Sequence, residues 1–358
     1  MKYLAYGFLL VWSVLRGWAF MPRAIGQFLR NGIRYRRTKS LPVYTGDTPG
    51  DKIHFLNTGN SDAILLESGG RFALIDAGED SEYPAGKRFL AYPGWEDYVL
   101  DYLKRAAGDA RGKVTLDFVL GTHAHSDHIG GFDTLILDPD VHIGRAYLKP
   151  YDDARMQGYE REYWDNDVVH GQMTAALKAR GVPVIGDIPG EAFTLGDFTI
   201  KLYNRGRQSS GDENDNSIGI LVECGGMRAF LAGDINNISG VEQQLAGKIG
   251  PVNLLKAGHH GHNGSSTLAI AVGLRPETVI CAKKGKADLG VLGRFIFAGS
   301  TRQLLGTGRF GGIMAVFGAS GIECYAINEF AEPLPPKAMQ GAPHSYPGPT
   351  DHPSQEGN

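Results

Sequence analysis

The densest chemistry in this 358-residue chain is the run Thr122-His123-Ala124-His125-Ser126-Asp127-His128, followed at once by Gly130-Gly131. On a tight loop, side chains two positions apart can face the same way. His123 and His125 can therefore hold one metal ion while Asp127 and His128 reach another. Imidazole and carboxylate suit zinc and similar first-row ions. Three widely spaced cysteines, Cys224, Cys281 and Cys324, rule out a disulfide framework or a cysteine-rich zinc module. Any metal has to be held by histidine and carboxylate.

Two further segments supply what this run lacks. Ala232-Gly233-Asp234 ends an apolar strand, where a carboxylate can sit between two ions, and Leu254-Leu255-Lys256-Ala257-Gly258-His259-His260-Gly261 ends another. A strand end is a rigid mount for a ligand.

The elements that must position these groups are legible as periodicities. From Lys52, KIHFLN, DAILLES and RFALID read as a strand meander turning at Asn60-Ser61 and Gly69-Gly70. Trp95, Tyr98, Val99, Tyr102, Leu103 and Ala106 recur at helical spacing, and the alternating LDFVLG then runs into Thr122. VVHGQMTAALKARG predicts a helix stopped by Gly181, and two hairpins turn at Gly196-Asp197 and Gly225-Gly226. After them come the strand VNLLK, a helix after Ser266, the strand TVICA, a helix near Gln303 and a last strand pair, GIMAVF and IECYAI. Fifty glycines and eighteen prolines suit many short strands and exclude a helical bundle or coiled coil. Strand blocks alternating with helices, without a solenoid repeat, predict a layered α/β sandwich.

The two ends differ from the middle. Met1 to Phe20 is apolar except for Lys2 and Arg16, and is followed by Arg23, Arg30, Arg34, Arg36, Arg37 and Lys39. Three readings stand for residues 1–39. An anchor would keep the rest of the chain cytoplasmic through the basic flank. A cleaved signal peptide would make the protein secreted or periplasmic. A helix lying in the membrane surface would be drawn to anionic lipid. Residues 331–358, rich in proline, glycine and serine, read as a disordered tail, which leaves 40–330 as one globular domain. Residues 1–39 carry eight bases and no acid, so beyond them 28 bases face 39 acids. That balance speaks against long nucleic acids as partners without forbidding a local basic cleft.

Taken together, the opening F-L-N-T-G-N-S-D-A-I-L-L, L-I-D-A-G at Asp76, H-x-H-x-D-H, N-D-N-S, A-G-D and L-K-A-G-H-H-G resemble the metallo-β-lactamase superfamily over about residues 52–328. Within it they resemble the branch of ComEC-like DNA-uptake proteins and choline-phosphate esterases. The resemblance implies a four-layer αββα sandwich and two divalent ions, with zinc expected first and manganese or iron as alternatives. His123 and His125 would bind the first ion, and Asp127, His128 and one of His259 or His260 the second, with Asp234 bridging. His259 is favoured as the ligand, leaving His260 to meet substrate or leaving group, and Asp127 would also align the nucleophile. Asp76 would orient the histidine loop from behind. A third histidine for the first ion is missing from Gly211-Asp212-Glu213-Asn214-Asp215-Asn216-Ser217, so Asn216, water or His170 is left to complete it.

Two metal ions that share a water can generate hydroxide near neutral pH, so hydrolysis is the expected chemistry. A small-molecule or phosphodiester substrate near a membrane is the first expectation. The alternatives are a lactone, β-lactam or thioester, or a metal-binding module without turnover. Lys256 and His262 are candidate substrate contacts, and Lys283, Lys284 and Lys286 could contact phosphate or be solvated. Aromatic and acidic residues from Tyr147 to Trp164 form either a cage for a quaternary amine or an amphipathic helix with a solvated acidic face.

Overall fold

The computed structural model describes residues 38–46, 48–80, 94–206 and 210–328, with parts of 25–35. The expectations for residues 1–39 and 331–358 therefore fall largely or wholly outside the described residues. Among the described residues no helix is long and apolar enough to cross a membrane.

Two mixed sheets face each other. The first has eight strands in the order β17 (Gly321–Ala326), β16 (Ile313–Gly318), β1, β2, β3, β5, β7 and β8 (Val184–Ile185), and the second seven in the order β15-β14-β13-β12-β11-β10-β9, with the remaining ranges given below. The expected meander is β1 (Lys52–Phe55), β2 (Ala63–Ser68) and β3 (Arg71–Ala77), antiparallel throughout. Next to it, β5 (Phe118–Gly121) and β7 (Ala146–Leu148) run parallel to β3. In the second sheet the hairpins β9 (Phe193–Leu195) to β10 (Phe198–Tyr203) and β11 (Gly219–Cys224) to β12 (Met227–Leu231) turn where the glycines predict. From β12 the sheet continues in parallel through β13 (Leu254–Lys256), β14 (Thr278–Cys281) and β15 (Gln303–Gly306).

Three apolar layers hold the sandwich together. Between the sheets, Phe55, Leu66, Ile75 and Leu120 pack against Phe198, Ile200, Ile220 and Leu231. Outside the first sheet lie α1 (Glu96–Ala107), α3 (Phe132–Leu137) and α5 (Asn166–Ala179), whose Leu103, Phe132 and Met173 cover Leu65, Leu74 and Val119. Outside the second, α6 (Val241–Ile249), α7 (Leu268–Leu274) and α8 (Leu289–Ala298) bring Leu245, Leu274 and Phe295 onto Phe230 and Leu255. This is the αββα order that the family resemblance implies.

One element differs. Gln303–Gly306 is the strand β15, hydrogen-bonded beside β14, and not a helix. Helical residues flank it: α8, which Gly299 ends in a left-handed conformation (φ 78°), comes before, and the single turn Thr307–Phe310 follows. A four-residue parallel edge strand has too little periodicity to be told from helix.

The parallel strands place their carboxyl ends at one rim of the sandwich, the usual place for a site in such sheets. β5 delivers Thr122 and His123 there, β12 delivers Asp234, and β13 delivers the paired histidines. Phe198 is fully buried between the sheets, edge-on to Phe317 at 5.1 Å. Phe198→Ala is expected to cost about 3–5 kcal/mol, read as a lower urea midpoint at unchanged slope.

Candidate metal centre

His123, His125, Asp127 and His128 sit on the loop after β5 and on the single turn α2 (Ser126–Ile129), all buried. His123 Nε2 and His125 Nδ1 face each other at 3.1 Å, and the His123 ring lies 4.1 Å from that of His128. Behind His128, Asp76 accepts from its Nδ1 at 2.7 Å and from the Thr122 amide and hydroxyl at 2.8 Å each. Asp76 holds a left-handed backbone (φ 54°) at the end of β3, an unusual conformation for a non-glycine residue. With Nδ1 thus engaged, His128 directs Nε2 inward.

There it meets carboxylates from elsewhere in the chain. Asp234 Oδ2 is 3.2 Å from His128 Nε2 and 3.0 Å from His260 Nε2, and Asp127 Oδ2 is 3.1 Å from His260 Nε2. Asp62 Oδ1 stands 3.5 Å from His260 Nδ1. Donor atoms of Asp62, His128, Asp234 and His260 all lie within 4.8 Å of one another. His128 Nε2 is buried without a properly directed hydrogen bond. Buried carboxylates converging on two imidazole nitrogens, with the far side of His128 already engaged by Asp76, fit a divalent ion.

The paired histidines differ from the expected assignment. His260 is the one turned inward and fully buried, whereas His259 is half-buried with its ring 5.2 Å from His262. Both have positive φ, 43° and 49°, so the chain reverses within two residues and the first imidazole does not enter the cluster. Gly258 lets the Ile235 backbone pass close behind this turn, because a Cβ there would meet the Ile235 carbonyl oxygen.

Other expected residues are placed as follows. Lys256 is fully buried, its amine clamped between Asp62 and Asp234 (3.2 Å to Oδ1) and donating to the Gly233 carbonyl at 2.8 Å. This corrects its reading as a substrate contact, since it faces the cluster from within the protein. Asn216 spends its amide on Ser210, Asp212 and Glu213 and shapes the preceding loop. His170 bonds the Lys149 carbonyl at 3.0 Å and is not brought to the histidine loop. His262 lies beside Lys283 (3.2 Å) and Asp288 (3.6 Å) at the outer side of the cluster.

Three residues were missed as site members. Asp62 opens an apolar strand, and a carboxylate entering such a strand was the available signal, because it needs a buried partner. Glu160, read as part of a solvated acidic face or a cage, is buried. It contacts His125 Nε2 at 3.0 Å and accepts from Asn166 and the Glu213 amide. Glu213 in turn accepts from the Ala124 amide and Asn216. Tyr159 donates to Asp212 and Tyr147 stacks on Phe193 inside the sandwich, so both are used structurally.

Charge explains the arrangement. Burial pushes the His260 imidazole down, but Asp234, Asp127 and Asp62 outweigh it and raise its pKa to about 10. His128 is likewise raised well above its ordinary value, against burial, by Asp234, Asp127 and Asp76. His123 goes the other way, lowered well below its ordinary value by burial and by the neighbouring His128 and His125. Without metal, protons on His128 and His260 therefore balance the carboxylates at neutral pH. A bound ion has to displace them, so affinity is expected to rise with pH up to about 10. Calorimetry in buffers of different ionisation heat should show proton release.

The family model for the metallo-beta-lactamase superfamily matches residues 56–283. ComE operon protein 3 of Bacillus subtilis is 26% identical over 237 residues, 64% of this chain and 28% of that protein. Competence protein ComA of Neisseria gonorrhoeae is 27% identical over 183 residues, 50% of this chain and 22% of that protein. The chain thus spans about a quarter of the length of these relatives. Among solved structures, the metallo-beta-lactamase fold protein YhfI from Bacillus subtilis superposes with a TM-score of 0.42 at 13% identity, covering 72% of this chain and 96% of that one.

Two substitutions test the geometry. Asp76→Asn is expected to weaken metal binding about 10–100-fold in chelator competition. His260→Ala is expected to lower bound metal by native mass spectrometry, and His259→Ala to leave it at the wild-type level.

Proposed function

The chain belongs to the metallo-beta-lactamase superfamily, and on that premise we propose that it is a metal-dependent hydrolase of phosphodiesters, with a pair of divalent ions, zinc first, as cofactor. The observation that carries the reading is the buried convergence of Asp62, His128, Asp234 and His260 beside the facing nitrogens of His123 and His125. His123 and His125 would hold one ion and Asp127, His128 and His260 the other, with Asp234 between them. Such ions, when bound, supply a hydroxide at neutral pH and stabilise developing negative charge.

The chain's own residues prepare for that chemistry. Asp127 stays ionised, its pKa lowered to about 2 because His128 and His260 outweigh the effect of burial. Lys256 holds Asp234 and Asp62 in place and keeps both charged. Glu160 fixes the far nitrogen of His125, as Asp76 fixes that of His128. Half-buried His259 and His262 lie on the outer side, where a substrate would approach. A compact phosphodiester suits this better than a long polyanion, which the acidic balance of residues 40–358 would repel. For location we propose attachment to a membrane through residues 1–39 with the domain of residues 40–330 cytoplasmic; cleavage of that segment in a secreted protein is the alternative outcome.

The test is turnover of bis(p-nitrophenyl) phosphate by the full chain loaded with zinc or manganese, alongside nitrocefin and a lactone. His123→Ala and Asp234→Asn are each expected to lower kcat/KM by about 10²-fold or more. Undiminished turnover in both variants would refute the site, and preference for nitrocefin or the lactone would refute the substrate class.

A further inference from the structure

The helical layer over the seven-stranded sheet shows apolar side chains that the hydrolase core does not use. On α7, Leu268 and Val272 stand one turn apart, 42% and 51% exposed, and Leu289, the first residue of α8, is 84% exposed. The α8 sequence, LGVLGRFIFA, has one charge, and only Val291 and Phe295 in it are buried. α7 and α8 pack on each other, which brings these exposed side chains into one helical layer. An apolar surface of this kind marks an interaction site.

One end of that surface is tied to the candidate metal centre. The Asp288 amide donates to the Gly261 carbonyl at 3.1 Å, the Asn263 amide donates to Asp288 Oδ2 at 3.0 Å, and Arg294 donates to the carbonyls of Asn263 and Ser265 at 3.0 and 3.1 Å. The start of α8 is thereby fastened to the loop that carries His259, His260 and His262. Leu289 is the neighbour of Asp288.

The other end is tied to the segment that follows the apolar run of residues 1–20. Asn31 and Gln27 donate to the Phe297 carbonyl near the end of α8, at 2.9 and 3.4 Å. Thr38 bonds Gln303 at 3.3 Å, and Arg309 donates to the Lys39 carbonyl at 2.8 Å. Ile25 and Leu29 are themselves more than half exposed. Residues 21–39 contain six arginines or lysines and no acid. An apolar helical face fastened through Gln27 and Asn31 to a stretch whose sequence links an apolar run to an excess of bases has the composition of a surface that settles into anionic lipid.

We propose that the α7–α8 face rests on an anionic lipid bilayer, so that the histidine–carboxylate site opens at the interface and takes its phosphodiester from a membrane-borne amphiphile. The second half rests on the phosphodiesterase reading above, whereas the docking face stands without it.

The experiment uses the full chain with phosphatidylcholine–phosphatidylglycerol vesicles. Val272→Cys and Leu289→Cys carry a polarity-sensitive fluorophore, and Leu137→Cys, exposed on the opposite helical layer, is the control. Vesicles with brominated acyl chains are expected to quench the labels at 272 and 289 at least about twofold more than the control. Equal quenching at all three positions overturns the docking face, as does a spectral shift that depends on protein concentration and not on lipid, which would mean a second copy covers it. For the substrate, Leu268→Gln/Val272→Glu is expected to keep turnover of bis(p-nitrophenyl) phosphate while losing about tenfold or more on vesicle-borne phosphatidyl-p-nitrophenol. Equal turnover of the vesicle substrate by variant and wild type overturns the membrane-borne substrate. Wild-type inactivity on both esters overturns the phosphodiesterase reading and leaves the quenching result to decide the docking face.

Discussion

Burying carboxylates together is the constraint on which this structure depends. Asp62, Asp76, Asp127 and Asp234 all lie within the protein at one rim of the sandwich. Without counter-charge such a group would either neutralise or unfold the site. The chain answers with Lys256 and with imidazoles that gain protons, and both solutions need close, directed contacts. That is why the loops at this rim are built with so little freedom.

The rigidity comes from the sheets. Thr122, Asp234 and the histidine pair follow directly on β5, β12 and β13, whose registers are fixed by parallel neighbours on at least one side. Asp76, His259 and His260, all non-glycine residues with left-handed backbone, lie at the same rim. Backbone conformations of this kind persist only where surrounding contacts over-determine them. Here the overlying contacts are those of the charged cluster itself, so site and local fold stabilise each other.

This dependence on tertiary pairing also explains what could be read in the chain. H-x-H-x-D-H was legible because four donors sit within six residues on one loop, and Asp76 because the motif around it resembles a known family. The sandwich followed from the alternation of strand blocks and helices. Asp62 and Lys256 were not legible as a pair, because 194 positions separate them and only the meeting of the two sheets joins them. Glu160 looked like one acid among many on a short helix, and only its burial against His125 reveals its role. The order of His259 and His260 turned on two backbone angles that no residue type declares.

The placement of Lys256 has a consequence for the whole centre. A cation fixed between Asp62 and Asp234 cancels one of the negative charges that bound dications would otherwise feel. It therefore lowers the intrinsic pull of the site on metal while leaving a larger positive field once metal is bound. An anionic phosphodiester gains from that field in a way a neutral lactone does not, since the interaction scales with the charge it brings into a poorly screened pocket. The same amine keeps Asp62 behind the His260 ring, as Asp76 stands behind the His128 ring. The two inward histidines are thus each backed by an aspartate, and the lysine lets one of those aspartates remain charged in the protein interior.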